Sequence, residues 1–201
     1  MTSGERDDLL AREAILRAEA DAMLAASGIG AILGEAGYVT VGSYAMRTMV
    51  WRDLDLECYQ DADWETHWDV GRRLAQTGWC WRLNCVDAYR QGEKGLYWGC
   101  RVADPTLNGV MVTEEPSGWK LDVWRAPRED FESHPAWPRR RLWAELMSEE
   151  KRASILAIKG ATCRRPEYRK TMLSVHVYEA VLERGIETPE GFVEWWAAHC
   201  L

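Results

Sequence analysis

Asp53 and Asp55 are separated by one leucine, and ahead of them, with nine residues between, stands the pair Gly42-Ser43. These are the residues whose types and spacing could do chemistry. Strand side chains alternate, so in Asp53-Leu-Asp-Leu56 the two acids point to one face and Leu54 and Leu56 to the other. Carboxylates held that close repel and raise one another's pKa, a cost that a divalent cation offsets. Oxygen-only ligands suit magnesium or manganese. Gly42-Ser43 lets the backbone turn sharply with free N–H groups, a place to hold an anion.

Positioning these groups needs a strand before the turn and a second strand under the acids. Tyr38-Val-Thr-Val41 has the β-branched and aromatic content of a buried strand, and the residues between Ser43 and Asp53 fit a short helical crossover. Tyr38–Glu57 thus reads as strand, turn, helical crossover and strand.

A hydrophobic residue, Gly-Ser, a spacer and then Asp-hydrophobic-Asp-hydrophobic, here Val41, Gly42, Ser43 and Asp53-Leu54-Asp55-Leu56, resembles the signature of the nucleotidyltransferase superfamily, with its polymerase-β-like fold. The resemblance implies that Asp53 and Asp55 hold magnesium or manganese on a nucleoside triphosphate. It implies too that Gly42 and Ser43 grip its phosphates and that a third acid lies on a later strand. Arg47, four residues past Ser43 and so one helical turn along, could reach phosphate or pair with a surface acid. Glu57 continues the face of the acids and reads as structural or outer-shell.

Candidates for the third acid are Asp87, Asp104, Glu114, Glu115, Asp122 and Asp130. Asp104 precedes a proline, Glu114 and Glu115 fall in a turn and Asp130 follows the sheet-forming region, which leaves Asp87 and Asp122. The resemblance puts the acid on the final strand before the helices, hence Asp122 as metal ligand and catalytic base. Lys120 is expected to face away from Asp122 and to take no part.

The chain of 201 residues is 47% hydrophobic, enough for a packed core, and its net charge is −7. That charge disfavours a nucleic-acid substrate, whose binding needs a basic face. No apolar run would cross a bilayer and the first thirty residues are no signal peptide, so a cytoplasmic protein with no membrane association is expected. Six cysteines lack metal or disulfide spacing and read mostly as buried thiols, and the four histidines as surface or capping residues. Twelve tryptophans against two phenylalanines suggest that Trp fills core positions, with a stacking surface as the sharper reading.

An opening helix is expected over Glu5–Ala26, with the glycines at 28, 30, 34 and 37 leading loosely into the first strand. Asp63 caps a helix from Trp64 to about Thr77. Strands follow over Trp81–Tyr89, Leu96–Val102, Gly109–Thr113 and Trp119–Trp124, joined by turn-rich segments that include Glu115-Pro-Ser-Gly118. Beyond Pro127 the pattern is helical. Ser148 caps Glu149–Lys159, a helix runs from Pro166 to Arg184, and Thr188-Pro opens the last one. On the helix over 166–184, Lys170, Ser174 and Tyr178 recur every four residues as a polar stripe beside apolar Leu173, Val177 and Val181. In proteins that this chain resembles a helical domain closes the nucleotide cleft, so that this stripe could meet phosphate or base; a solvated face is the alternative.

The expected fold is α/β (α+β). A mixed β-sheet core with helices on one face occupies 1–127 and a C-terminal helical region 128–201. The expected activity is metal-dependent transfer of a nucleoside monophosphate from a triphosphate to a hydroxyl of a small-molecule acceptor, aminoglycoside-like by analogy. The rival is a non-catalytic nucleotide-binding or interaction protein, such as a toxin-antitoxin-type component acting on a protein partner.

Overall fold

A computed structural model describes residues 1–106, 118–134 and 136–200. The expected strand Gly109–Thr113, the acids Glu114 and Glu115, and most of the turn that ends at Gly118 lie outside the described residues. The backbone forms two compact units, Leu16–His134 and Met1–Ile15 with Pro135–Leu201.

The first unit is built on one five-stranded mixed sheet. Its strands are β1 (Val39–Thr40), β2 (Asp53–Cys58), β3 (Cys80–Asp87), β4 (Leu96–Val102) and β5 (Trp119–Arg125), and their spatial order is β1-β2-β5-β4-β3. Among the described strands β2 and β5 run parallel, and the other neighbouring pairs are antiparallel. On β4 and β5 burial alternates residue by residue, and Leu54, Leu56, Leu121, Val123, Cys100 and Val102 are sealed on one side. Against that side pack Ala20 and Met23 of α1 (Ser3–Ala26), Ile29 and Leu33 of α2 (Ile29–Glu35), and Val70 and Leu74 of α4 (Trp64–Gln76). The mixed α/β class and the helices on one face are as the sequence implied.

Several local expectations are corrected. The segment from 29 to 35 is a helix rather than a loose glycine connection, because Gly28 takes the left-handed turn (φ 73°) in a single step. The first strand is a two-residue edge strand with Val39 half exposed, since it pairs on one side only. It runs antiparallel to β2, so the connection between them is a reversal built on the four-residue helix α3 (Gly42–Ala45). His67 of α4 is fully buried, its ring stacked on Trp98 at 5.0 Å, rather than a surface or capping residue. The tryptophans divide: Trp98, Trp119, Trp143 and Trp196 are core, whereas Trp64, Trp68 and Trp81 are exposed. Of the cysteines, all free, only Cys58 and Cys100 are fully buried.

A buried arginine closes the end of β5. Arg125 donates to the Asp61 carbonyl (2.8 Å), Gln60 (3.2 Å) and Asp63 (3.3 Å), fixing the loop that leads from β2 into α4. Asp63 in turn accepts from the Thr66 N–H as the expected cap. The short helix α5 (Arg128–Glu132) ends this unit, with Phe131 edge-on to Tyr59 at 5.1 Å.

The second unit holds helices α6 (Trp137–Leu146), α7 (Glu149–Thr162), α8 (Ser174–Leu182) and α9 (Pro189–His199). Ser148 and Thr188 cap as expected. The helix expected over 166–184 covers only its second half. Arg169 has a positive φ of 64° and Tyr168 bridges to Met172, so the chain loops before Ser174. Arg139 reaches both Glu179 (3.0 Å) and Glu183 (2.7 Å), which ties α6 to α8, and these bonds raise the arginine's pKa further and hold both glutamates below the usual range. No helix among the described residues is long and apolar enough to cross a membrane.

Candidate functional site

Strand pairing, not local sequence, assembles the candidate site. In the parallel pair, Asp53 stands opposite Lys120 and Asp55 opposite Asp122, and β4 continues the row with Arg101 beside Lys120 and Gly99 beside Asp122. Residues opposite one another share a face. Asp53, Asp55 and Asp122 therefore lie together on the face of the sheet turned away from Leu54, Leu56 and Leu121.

Lys120 corrects the expectation set for it. A separation of two along a strand keeps both side chains on one face, so Lys120 lies on the side of Asp122 rather than opposite to it. Its ammonium donates to Asp53 Oδ1 at 3.2 Å and to Asp122 Oδ2. All three side chains are mostly withdrawn from water. Burial by itself would lower the lysine's pKa, but the two carboxylates outweigh it and the net shift is upward. The other oxygen of each acid is held by a neutral donor. Trp51 Nε1 donates to Asp53 Oδ2 (3.0 Å) and the Tyr97 hydroxyl to Asp122 Oδ1 (2.5 Å). Burial first, and then the bond to Asp122, push the Tyr97 pKa well above its usual value, so the phenol stays protonated and donates.

Gly42 has φ 59°, and a Cβ there would overlap the Asp55 carboxylate. Backbone therefore approaches this acid where a side chain could not. Val41 N–H donates to the Asp55 carbonyl (2.8 Å), and the Tyr44 hydroxyl donates to Asp21 of α1 (2.5 Å), which pins the turn to the body of its unit. Ser43 lies within α3, whose N-cap position is Val41 and carries no side-chain bond. Arg47 does not sit one turn along a helix: α3 stops at Ala45, and Arg47 takes a left-handed conformation (φ 54°) with its side chain exposed. Glu57 is buried and accepts from Tyr59 (2.8 Å).

The other candidate acids are placed elsewhere. Asp87 ends β3, with two strands between it and β2, and pairs with Arg90 at 3.0 Å. Asp104 is buried and accepts from Thr106 and Trp119, so it holds a turn. Asp130 binds Tyr89 and Lys94.

Lys170, Ser174 and Tyr178 belong to the helical unit and do not form one stripe. Lys170 is exposed in the loop before α8. Ser174 shares a bond with the Tyr168 hydroxyl (3.0 Å), and Tyr178 is buried against Trp143 with ring centroids 5.4 Å apart. The apolar stripe is also broken, because Leu173 at the N-cap position is exposed. Beneath Tyr178 lies the ammonium of Lys159, 5.8 Å from the ring centroid and almost fully buried.

Three residues of the sheet site escaped sequence reasoning: Lys120, Tyr97 and Trp51. The period of two in Lys120-Leu-Asp122 was a sufficient signal for the first. The others depend on which strands are neighbours.

The oxygen-only donors and the glycine cradle at Asp55 fit a hard divalent cation. As the side chains stand, no group of three or more His, Cys, Asp or Glu among the described residues could hold a metal ion; the cation between Asp53 and Asp122 is Lys120.

No protein-family model matches the chain, and no curated protein matches it. Among solved structures the chain is similar to that of Cid1 in complex with its short product ApU, with a TM-score of 0.42 and 13% sequence identity over 90% of this chain. The present chain spans about half, 49%, of the chain in that structure.

Proposed function

We propose that the chain is a nucleotidyltransferase that transfers a nucleoside monophosphate from a triphosphate to an acceptor hydroxyl. The observation that carries this reading is the convergence of Asp53, Asp55 and Asp122 on one face of a parallel strand pair, with the Gly42 backbone laid against Asp55. Asp53 and Asp55, completed by Asp122, would hold magnesium or manganese, which supplies charge neutralisation of the triphosphate. Asp122, which accepts from the Tyr97 hydroxyl, would take the proton of the acceptor hydroxyl as it attacks the α-phosphorus, while pyrophosphate departs. Gly42 and Ser43 offer N–H groups and a hydroxyl to phosphate oxygens. A small cationic acceptor suits the net charge of −7.

The deciding experiment incubates the protein with each nucleoside triphosphate, magnesium and a panel of cationic antibiotics, sugars and short oligonucleotides, and measures pyrophosphate. Release that requires both a triphosphate and one acceptor class supports transfer and names the acceptor. A second reading, nucleotide binding without transfer, is favoured by the ammonium that stands between two of the acids. Triphosphate binding with no pyrophosphate from any acceptor would select it.

A further inference from the structure

Lys120 is bound to two of the three acids that the proposed reaction needs. Its position is fixed by register, because it stands directly opposite Asp53 and two residues before Asp122 on the same face. Arg101, opposite Lys120 on β4, adds positive charge on the far side and leaves the carboxylates as the favourable direction for the ammonium. Asp53 and Asp122 each give one oxygen to a neutral donor, Trp51 or Tyr97, and the other to Lys120. A metal ion entering between them has to displace the ammonium. Displacement strands a half-buried positive charge unless an anion receives it, and the phosphate oxygens of a nucleotide are such an anion.

We propose that Lys120 is a resident counter-ion that occupies the cation position between Asp53 and Asp122 until a nucleoside triphosphate arrives, so that a divalent cation enters only together with the nucleotide. This rests on the reading of Asp53, Asp55 and Asp122 as metal ligands. Lys120 is a positioning residue: it holds both carboxylates in place without metal, and turns to phosphate when metal takes its place.

The test measures Mn²⁺ binding by loss of the free-ion electron paramagnetic resonance signal, with and without a non-hydrolysable triphosphate analogue, for the natural protein, Lys120→Met and Lys120→Gln. Circular dichroism checks folding. Lys120→Gln keeps a hydrogen-bond donor without the charge and serves if the methionine variant does not fold. The natural protein should bind Mn²⁺ appreciably only with the analogue, and the uncharged variants should bind Mn²⁺ alone at least about tenfold tighter than it does, the scale of losing one competing charge. Equal or weaker Mn²⁺ binding by both variants without nucleotide, with the natural protein still binding Mn²⁺ and analogue together, would overturn the role of Lys120 and leave the proposed reaction standing. No Mn²⁺ uptake by any of the proteins, even with the analogue, would overturn both.

Discussion

A Cβ on Gly99 would stand 2.7 Å from the Tyr97 hydroxyl, so the glycine is what lets this tyrosine lie along its own strand and reach Asp122. Gly99→Ala should drive the phenol off the carboxylate. Its pKa should then fall, visible by ultraviolet difference titration, and turnover should drop about tenfold for loss of one bond to a charged group. An unchanged titration would show that Asp122 does not depend on Tyr97 for its orientation.

Asp53→Asn and Asp55→Asn should each abolish magnesium-dependent triphosphate binding, measured by calorimetry, with the fold intact. Lys120 already offsets the crowding of Asp53 and Asp122, so removing a carboxylate should bring no gain in stability.

Asp122→Asn should keep triphosphate binding while turnover falls by ~10² to 10⁴, the range for removing a general base. Equal losses in binding and turnover would reassign Asp122 to metal holding alone.

Gly42→Ala should be damaging twice over, through the left-handed backbone and through overlap with the Asp55 carboxylate. Urea denaturation should show a loss of about 1 kcal/mol or more, with phosphate affinity reduced beyond what Ser43→Ala costs.

His67 is buried between Trp64 and Trp98, and burial lowers its pKa to about 4. Between its unfolded value near 6.5 and that value, the unfolded chain binds a proton that the folded chain does not. Stability from this residue is thus complete above about pH 6.5 and falls as pH drops toward 4, by at most about 1.4 kcal/mol per pH unit. His67→Phe should flatten the decline in denaturation midpoint between about pH 7 and pH 5; a decline as steep as in the natural protein would place its origin elsewhere.

The sequence by itself determined what is local. Alternation in Asp53-Leu-Asp-Leu56 and in Trp119-Lys-Leu-Asp-Val-Trp124 set which residues share a strand face, and Asp63, Ser148 and Thr188 announced their helices because a cap is a bond across three residues. The tertiary structure decided which strand lies beside β2. Parallel pairing with β5 brings Asp122 into register with Asp55 across sixty-six intervening residues and leaves Asp87 with two strands between it and β2. It also turned Lys120 from a bystander into the partner of two acids, buried His67, and split the expected 166–184 helix where Arg169 takes a positive φ. Periodicity reports the direction in which a side chain leaves its own strand or helix; the charge it meets there is set by long-range pairing, which burial of the leucine face fixes and local spacing does not encode.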